Sequence, residues 1–326
     1  MRIGLSPLQA GGDFEETIQE CERAEAAGFD SVWLGEHHNS PALYPTPLIG
    51  LAAIAARTRR VRLGTAVLLL PLYHPVAVAE EGAMVDMISG GRLVLGVGAG
   101  YAPHEFAAFG LPVKERGSRL EEGVTLLHRL WTEEKVSHRG RHYSVSDVTV
   151  RPRPVQRPRP PIWFAAWAEP AIRRAARLGD AWLGGPSARL DELAACVHLF
   201  HEARRAAARD PQEAEVALVR FVFVADSPER ARAVAGAPIL DFFERTYFRW
   251  PHPVVVRPPG ELTIERLAKD RIILGDPAGC IRQIRRFQET LALTQVICRI
   301  SAPGIPRQAA LASLDLFVRE VMPAFR

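Results

Sequence analysis

The sequence predicts an α/β fold of the (β/α)8 kind, a TIM-type barrel with insertions. Strand-like and helix-like segments alternate along most of the chain, several strands are apolar on both faces, and the strands number eight in 326 residues. Strand–helix–strand runs imply parallel pairing with right-handed crossovers. Near-continuous apolar strands imply a sheet covered on both sides. A doubly wound open sheet alternates in the same way and is the alternative.

In order, Arg2–Leu8 reads as a strand and Phe14–Ala27 as an amphipathic helix ending at Gly28. Phe29–Gly35 is a strand, Pro47–Arg57 a helix, Val61–Leu70 a strand, and Val76–Ile88 a helix closed by Ser89-Gly90-Gly91. Arg92–Val97 is the fourth strand; Ala102–Phe106 is loop-like, and a long helix spans Arg116–Trp131. Val136–Val150 suggests a hairpin around Arg139-Gly140-Arg141. The alternation resumes with strand Pro161–Ala166, helix Pro170–Leu178, strand Asp180–Leu183, helix Leu190–Ala207 and strand Val216–Val224. A helix starts at Ser227–Ala235, and roughly Gly236–Asp270 breaks the rhythm with prolines and aromatics. Helix Pro277–Leu291, strand Gln295–Ile300 and helix Gln308–Val321 complete the count. Residues 1–326 therefore read as a single barrel domain, with a hairpin excursion near 136–150 and a variable insertion near 236–270.

Composition narrows the function. With 48% hydrophobic and 24% charged residues the chain is of ordinary globular type. No apolar run approaches the roughly 20 residues of a membrane helix, and Met1–Ser6 enters a strand directly, so no membrane association, no secretion signal and a cytoplasmic location are expected. The net charge of +4 comes from three lysines and 38 arginines interleaved with 37 acids. A nucleic-acid binder concentrates its charge on one stripe or module, so no nucleic-acid partner is expected. Cys21, Cys196, Cys280 and Cys298 lie far apart without a CxxC, which suits reduced, buried thiols.

Three motifs carry chemistry. Glu36-His37-His38 follows the second strand, on the face where barrel enzymes place function. Strand alternation puts Trp33, Gly35 and His37 on one side and Val32, Leu34, Glu36 and His38 on the other. No third histidine follows at helical spacing, so a metal is not expected; acid–base work by one histidine is the functional reading, and a hydrogen-bonded structural histidine the bland one. Gly96-Val97-Gly98-Ala99-Gly100 is GxGxG rather than GxGxxG, with no helix at once, so a flat ring against the strand end fits as well as a phosphate. Ala168-Glu169-Pro170-Ala171-Ile172-Arg173 is a strand-to-helix junction whose amides and dipole suit an anion, with Arg173 or Arg119 adding charge. An ordinary helix start reads identically, and Arg119 could simply pair with Glu121 or Glu122.

Together and in this order, these pieces resemble the bacterial luciferase-like family of flavin-dependent monooxygenases. The resemblance also includes Leu63-Gly64-Thr65, Tyr73-His74-Pro75, Asp86 with Ser89-Gly90-Gly91-Arg92, Glu105-Phe106-Ala107-Ala108-Phe109-Gly110, Arg119, the Arg153–Pro158 connector, Ala176–Asp180 and Gly275-Asp276-Pro277. It implies a (β/α)8 barrel binding reduced FMN, or a deazaflavin, at its C-terminal mouth. His37 then matches the histidine beside the flavin, with Glu36 and His38 next to it. Ala66–Val67 falls where the family often has a non-prolyl cis peptide under the ring. Ala99, Tyr101 and Trp167 match ring-side positions, Arg119 a phosphate-contacting arginine, and Glu169, Pro170 and Arg173 the phosphate loop. Ala99 replaces an arginine of luciferase itself, and Pro170 and Arg173 replace hydroxyl residues. The resemblance implies a monooxygenase that takes reduced FMN from a separate reductase and oxygenates a small organic molecule. Deazaflavin-dependent hydride transfer and a non-catalytic flavoprotein are the alternatives. A homodimer is expected through Pro47–Ala56, apolar on nearly every face, whose Gly50 and alanines would admit a second helix.

Overall fold

In the computed structural model, which describes residues 1–7, 13–39, 44–249, 260 and 262–326, eight parallel strands close on themselves. They are β1 (Arg2–Ser6), β2 (Ser31–Leu34), β3 (Arg62–Thr65), β4 (Leu93–Gly98), β7 (Ile162–Ala165), β8 (Ala181–Gly184), β9 (Glu215–Val224) and β11 (Gln295–Arg299), with β5 (Val136–Arg139), β6 (Ser144–Val148) and β10 (Ile273–Gly275) outside the ring. Each ring strand pairs with the next in chain order, β8 with β9, β9 with β11, and β11 back onto β1. The barrel is therefore the TIM type predicted, and the open-sheet alternative falls. β5 and β6 form the expected antiparallel hairpin.

Helices α1 (Phe14–Ala27), α2 (Pro47–Arg57), α3 (Pro75–Ser89), α4 (Pro103–Ala108), α5 (Arg116–Thr132), α6 (Glu169–Leu178), α7 (Leu190–Ala206), α8 (Pro228–Phe242), α9 (Ile264–Asp270), α10 (Pro277–Leu291) and α11 (Arg307–Leu316) complete the described elements. Local chemistry sets several ends: Asp13 caps α1 by accepting from the Glu15 amide, and Asp276 caps α10 at the Gly279 amide. Proline opens α2, α3 and α10, where a missing N–H costs nothing.

The inward residues plug the lower barrel. Trp33 and Trp163 pack at 4.8 Å among Val94, Ala181, Leu183, Ala217, Val219 and Ile297. Trp33 donates its indole N–H to Ser31 Oγ at 2.7 Å, and Gln295 Nε2 donates to the same oxygen. A side chain at Gly64 would run into the Trp33 ring, 2.1 Å from its nearest atom. Below, Arg2 and Arg62 converge on Glu215.

The structure corrects several sequence expectations. β3 ends at Thr65 rather than Leu70, because the chain turns away through a cis Ala66–Val67 peptide and rejoins β4 only by a bridge between Leu68 and Val97. The segment read as loop, Ala102–Phe106, is the N-cap and first four residues of helix α4. α8 passes through Gly236 and Pro238 to Phe242 and continues as a π-turn at Phe243–Tyr247. Residues 250–259 and 261 of the expected insertion, and Leu8 of the first strand, lie outside the described residues. The three-residue β10 was not anticipated; it takes over the upper half of β9 at Val222–Val224, where β8 pairs only with Glu215–Leu218. Between those two pairings Arg220 reaches out of β9 to the carbonyls of Gly185 (2.8 Å) and Ala188 (2.9 Å) and lies over Phe287. Burial and the neighbouring Arg271 pull its guanidinium down to about 9. Arg271 donates to the Ser187 carbonyl in the same loop. The four cysteines are free and buried, as expected.

Packing explains the glycines of β4. A Cβ at Gly96 would lie 1.9 Å from the Thr65 carbonyl oxygen, and one at Gly98 2.6 Å from Val67 Cγ2. The Leu68 amide donates to Gly96 O at 2.8 Å, and the Gly98 amide returns a bond to Leu68 O. These two glycines thus admit the neighbouring segment, not a ligand. Gly96→Ala should lower stability by at least the about 1–3 kcal/mol typical of overpacking. Gly236→Ala, mid-helix and meeting only the Ile264 side chain at an ordinary contact distance of 3.4 Å, should be neutral or gain up to about 1 kcal/mol. Urea unfolding of the two variants checks the contrast.

Candidate active site

The ends of β2, β3 and β4 carry the densest polar network above the tryptophan plug. His37 continues the inward parity of Ser31 and Trp33. Its Nδ1 lies 2.9 Å from Glu105 Oε1, and its Nε2 is 3.4 Å from the Tyr101 hydroxyl, with the two rings edge-on at 5.7 Å. A carboxylate can only accept, so Nδ1 carries the proton toward Glu105 and Nε2 is left to face Tyr101 and the mouth. The His37 side chain is 18% exposed, enough to meet a ligand, whereas Glu105 is fully buried.

Glu105 also accepts from the His38 amide at 2.9 Å, while its Oε2 has no partner. Burial alone would raise the Glu105 carboxyl, but the hydrogen bond and charge of His37 and the His38 amide hold it below the usual carboxylate range. The carboxylate therefore stays ionised at pH values where an ordinary glutamate has begun to protonate. In the sequence Glu105 stands out only as part of the Glu105–Gly110 motif. The missing signal was that Pro103, at the first helical position, opens a helix that aims the carboxylate back at β2.

Glu36 and His38 take the opposite parity and bind each other, His38 Nε2 to Glu36 Oε1 at 2.8 Å. Glu36 also accepts from the Leu69 amide at 2.6 Å and from the Tyr73 hydroxyl, and His38 packs edge-on against Phe109 at 4.7 Å. Burial and the Glu36 charge push the Tyr73 phenol far up, so it remains a donor. This pair ties strand ends together, while His37 faces the mouth. No three His, Cys, Asp or Glu side chains among the described residues form a metal-binding group.

Small apolar residues follow the strands next to β2 in the ring. Ala66, Val67 and Ala99 are half-exposed at the ends of β3 and β4, and Val67 abuts the interior cluster. Trp167 follows β7, half-buried and edge-on to Trp182 at 6.1 Å. Burial, then the nearby Tyr247 and Glu105, raise the Tyr101 phenol.

The remaining expected residues sit apart from this group. Arg119 donates to Glu115 at 3.2 Å and approaches Tyr143. Its partner is thus Glu115; Glu121 instead binds Arg174 and Arg177, and Glu122 holds the hairpin through His138 and the His142 and Tyr143 amides. Glu169 and Arg173 pair at 2.7 Å on the outside of the first α6 turn, both more than half exposed. Pro170 lies in that turn, and Ala168 offers no side-chain cap. No contact among the described residues joins Arg119 to this pair.

A flavin suits these residues on two counts: a half-exposed apolar floor of Ala66, Val67 and Ala99, and a buried carboxylate oxygen, Glu105 Oε2, still lacking a donor.

Comparison with known proteins agrees. Residues 1–294 match the luciferase-like monooxygenase family. The oxygenase component of the flavin-dependent trigonelline monooxygenase of Acinetobacter baylyi is 28% identical, over 96% of this chain and 90% of its own. An F420-dependent glucose-6-phosphate dehydrogenase of Beutenbergia cavernae is 34% identical over 93% of this chain and 91% of its own. The crystal structure of monooxygenase RslO1 from Streptomyces bottropensis superposes with a TM-score of 0.88 at 27% identity, covering all of both chains. The chain belongs to the luciferase-like monooxygenase family, and is an oxidoreductase with a flavin-type cofactor.

His37→Ala should lower turnover roughly 10²–10⁴-fold, the range for a lost acid–base group, with an unchanged circular dichroism spectrum. His38→Ala should cost less. In Glu105→Gln, nitrogen-resolved imidazole spectra should show His37 losing its fixed Nδ1–H tautomer. Equal losses in the two histidine variants, or a tautomer indifferent to Glu105, would contradict these roles.

Proposed function

As a member of this family, we propose, the protein is the oxygenase of a two-component system that takes reduced FMN from a separate flavin reductase and uses O2 to oxygenate a small organic substrate. The observation that carries this reading is the His37–Glu105 pair, one ring nitrogen fixed and the other turned to a mouth with apolar residues at the neighbouring strand ends. Reduced FMN, when bound, supplies the electrons and the activation of oxygen. The chain supplies the rest. Ala66, Val67, Ala99, Tyr101 and Trp167 line the ring side and exclude water. His37 holds or delivers a proton at Nε2, and Glu105 keeps that nitrogen aimed. Arg119, with Glu169, Pro170 and Arg173, forms the phosphate end; Pro170 has no amide donor, so arginine and the remaining amides of the turn carry the charge. Residues 1–326 act as one unit, and a reducing cytoplasm suits the four free thiols.

Deazaflavin-dependent hydride transfer is the second reading. The 32–34% identity to F420-dependent dehydrogenases favours it, while the Glu36-His37-His38 triplet favours FMN. Mixing the purified protein with each reduced cofactor under air and following the absorption spectrum separates them. Reduced FMN should bind far better than NADH; tight NADH binding with no flavin effect overturns both readings.

Arg119→Ala should weaken FMN binding by about 1.5–3 kcal/mol, as expected for bonds to a charged group. Riboflavin should bind wild type and variant equally, because the lost partner is the phosphate. Equal losses for both ligands would assign Arg119 to the Glu115–Tyr143 framework instead.

We also propose a two-fold dimer through α2 and α3. Gly50, Leu51, Ile54 and Ala55 are buried within the chain, so the contact face is not the one that includes Gly50. It is the outer face, where Ile49 is 68% exposed and Met84, Met87 and Ile88 lie open beside it. A monomer by light scattering at micromolar concentration would be the adverse result.

A further inference from the structure

Arg299 ends β11, in register with Ser6 of β1 and Phe221 of β9. It keeps the parity of Gln295 and Ile297, both turned into the barrel, one bonded to Ser31 and the other packed with Trp33 and Trp163. Its half-buried side chain therefore stands in the mouth, two strands round the ring from His37. Its Nη1 donates to the Tyr247 hydroxyl at 3.1 Å, and the guanidinium lies over Phe221 at 5.4 Å. Tyr247 is itself held by Phe242 and Phe243, at 5.5 and 5.2 Å between ring centroids. Among the described residues Arg299 has no carboxylate partner, whereas Arg2, Arg62 and Arg159, also partly buried, each have one. A guanidinium presents five N–H donors in a flat fork. One is spent on Tyr247, and the aromatic frame fixes the plane of the rest. A half-buried cation with donors still open to the mouth and no acid beside it favours an anionic ligand.

We propose that Arg299 anchors a carboxylate of the substrate in the barrel mouth, with Tyr247 holding the guanidinium in plane. The substrate class is then a small, flat organic acid rather than a neutral aldehyde or alkane. The fork suits a carboxylate, which it grips through two parallel bonds. Tyr101 links the two ends of the pocket: it touches His37, and Tyr247 and Arg299 lie near enough to influence its phenol. Reaction and recognition are thus one aromatic side chain apart. This assignment rests on the oxygenase reading of the mouth.

The test uses matched pairs of acid and amide: benzoate and benzamide, phenylacetate and phenylacetamide, nicotinate and nicotinamide. Each is titrated calorimetrically into the full chain with saturating FMN. At least one acid should bind 10-fold or more tighter than its amide, within the about 10–150-fold expected for a bond to a charged group. Arg299→Gln should abolish that ratio, Arg299→Lys should keep part of it, and Tyr247→Phe should reduce it. If Arg299→Gln does not fold by circular dichroism, Arg299→Lys and Tyr247→Phe decide. Acids and amides that behave alike in the wild type, binding or not, overturn the proposal, as does a ratio that survives Arg299→Gln. Equal losses of FMN and riboflavin affinity in Arg299→Gln, with no acid preference, overturn it too and put the guanidinium on the flavin ring. FMN titration of the unaltered protein decides the oxygenase reading separately: a chain that binds FMN but prefers no acid refutes only the substrate class.

Discussion

Two buried carboxylates hold the mouth of this barrel together. Glu36 collects the Leu69 amide, the Tyr73 hydroxyl and the His38 ring; Glu105 collects the His38 amide and the His37 ring. Each charge is out of water, so each is tolerable only while its donors stay in place. The donors come from the end of β2 and the segment after β3, and Glu105 itself from the helix after β4. Three strand ends are thereby fixed against one another, and the orientation of His37 follows from that arrangement. Removing either acid would leave several donors without an acceptor, a larger loss than any single bond.

The far side of the ring uses a different device. β9 changes partners halfway, from β8 to β10, and a sheet that changes partners leaves main-chain groups over. Arg220 and Arg271 satisfy the leftover carbonyls of the 185–188 loop. Arg220 is a buried cation whose hydrogen bonds all go to main-chain carbonyls and whose guanidinium lies over an aromatic face, and burial lowers its pKa. The loop they hold lies against Trp167 through Gly185, so this framework also sets one wall of the mouth.

Much of this was legible in the sequence, for identifiable reasons. The bounds of α1, α2 and α10 follow from caps and prolines that act locally. Strand alternation separated His37 from Glu36 and His38, because parity survives whatever the partner strands do. Glu105 was not legible, because its meaning depends on a histidine 68 residues earlier in the chain. The glycines of β4 pointed to a ligand only because nothing local shows that the β3 segment lies against them. Arg119 illustrates the same limit: Glu121 and Glu122 are its nearer acids in sequence, yet α5 turns one toward α6 and the other toward the hairpin. β10 is too short, and too dependent on the upper half of β9, for any periodicity to register it.

The tryptophan plug has a consequence for traffic. With Trp33 and Trp163 closing the lower barrel, the mouth is a cul-de-sac. Whatever rests on its floor arrives first and departs last, and anything seated above it blocks the way out. An enzyme built on such a floor has a queue imposed by architecture, a fixed order of arrival and release that no side chain at the mouth needs to enforce.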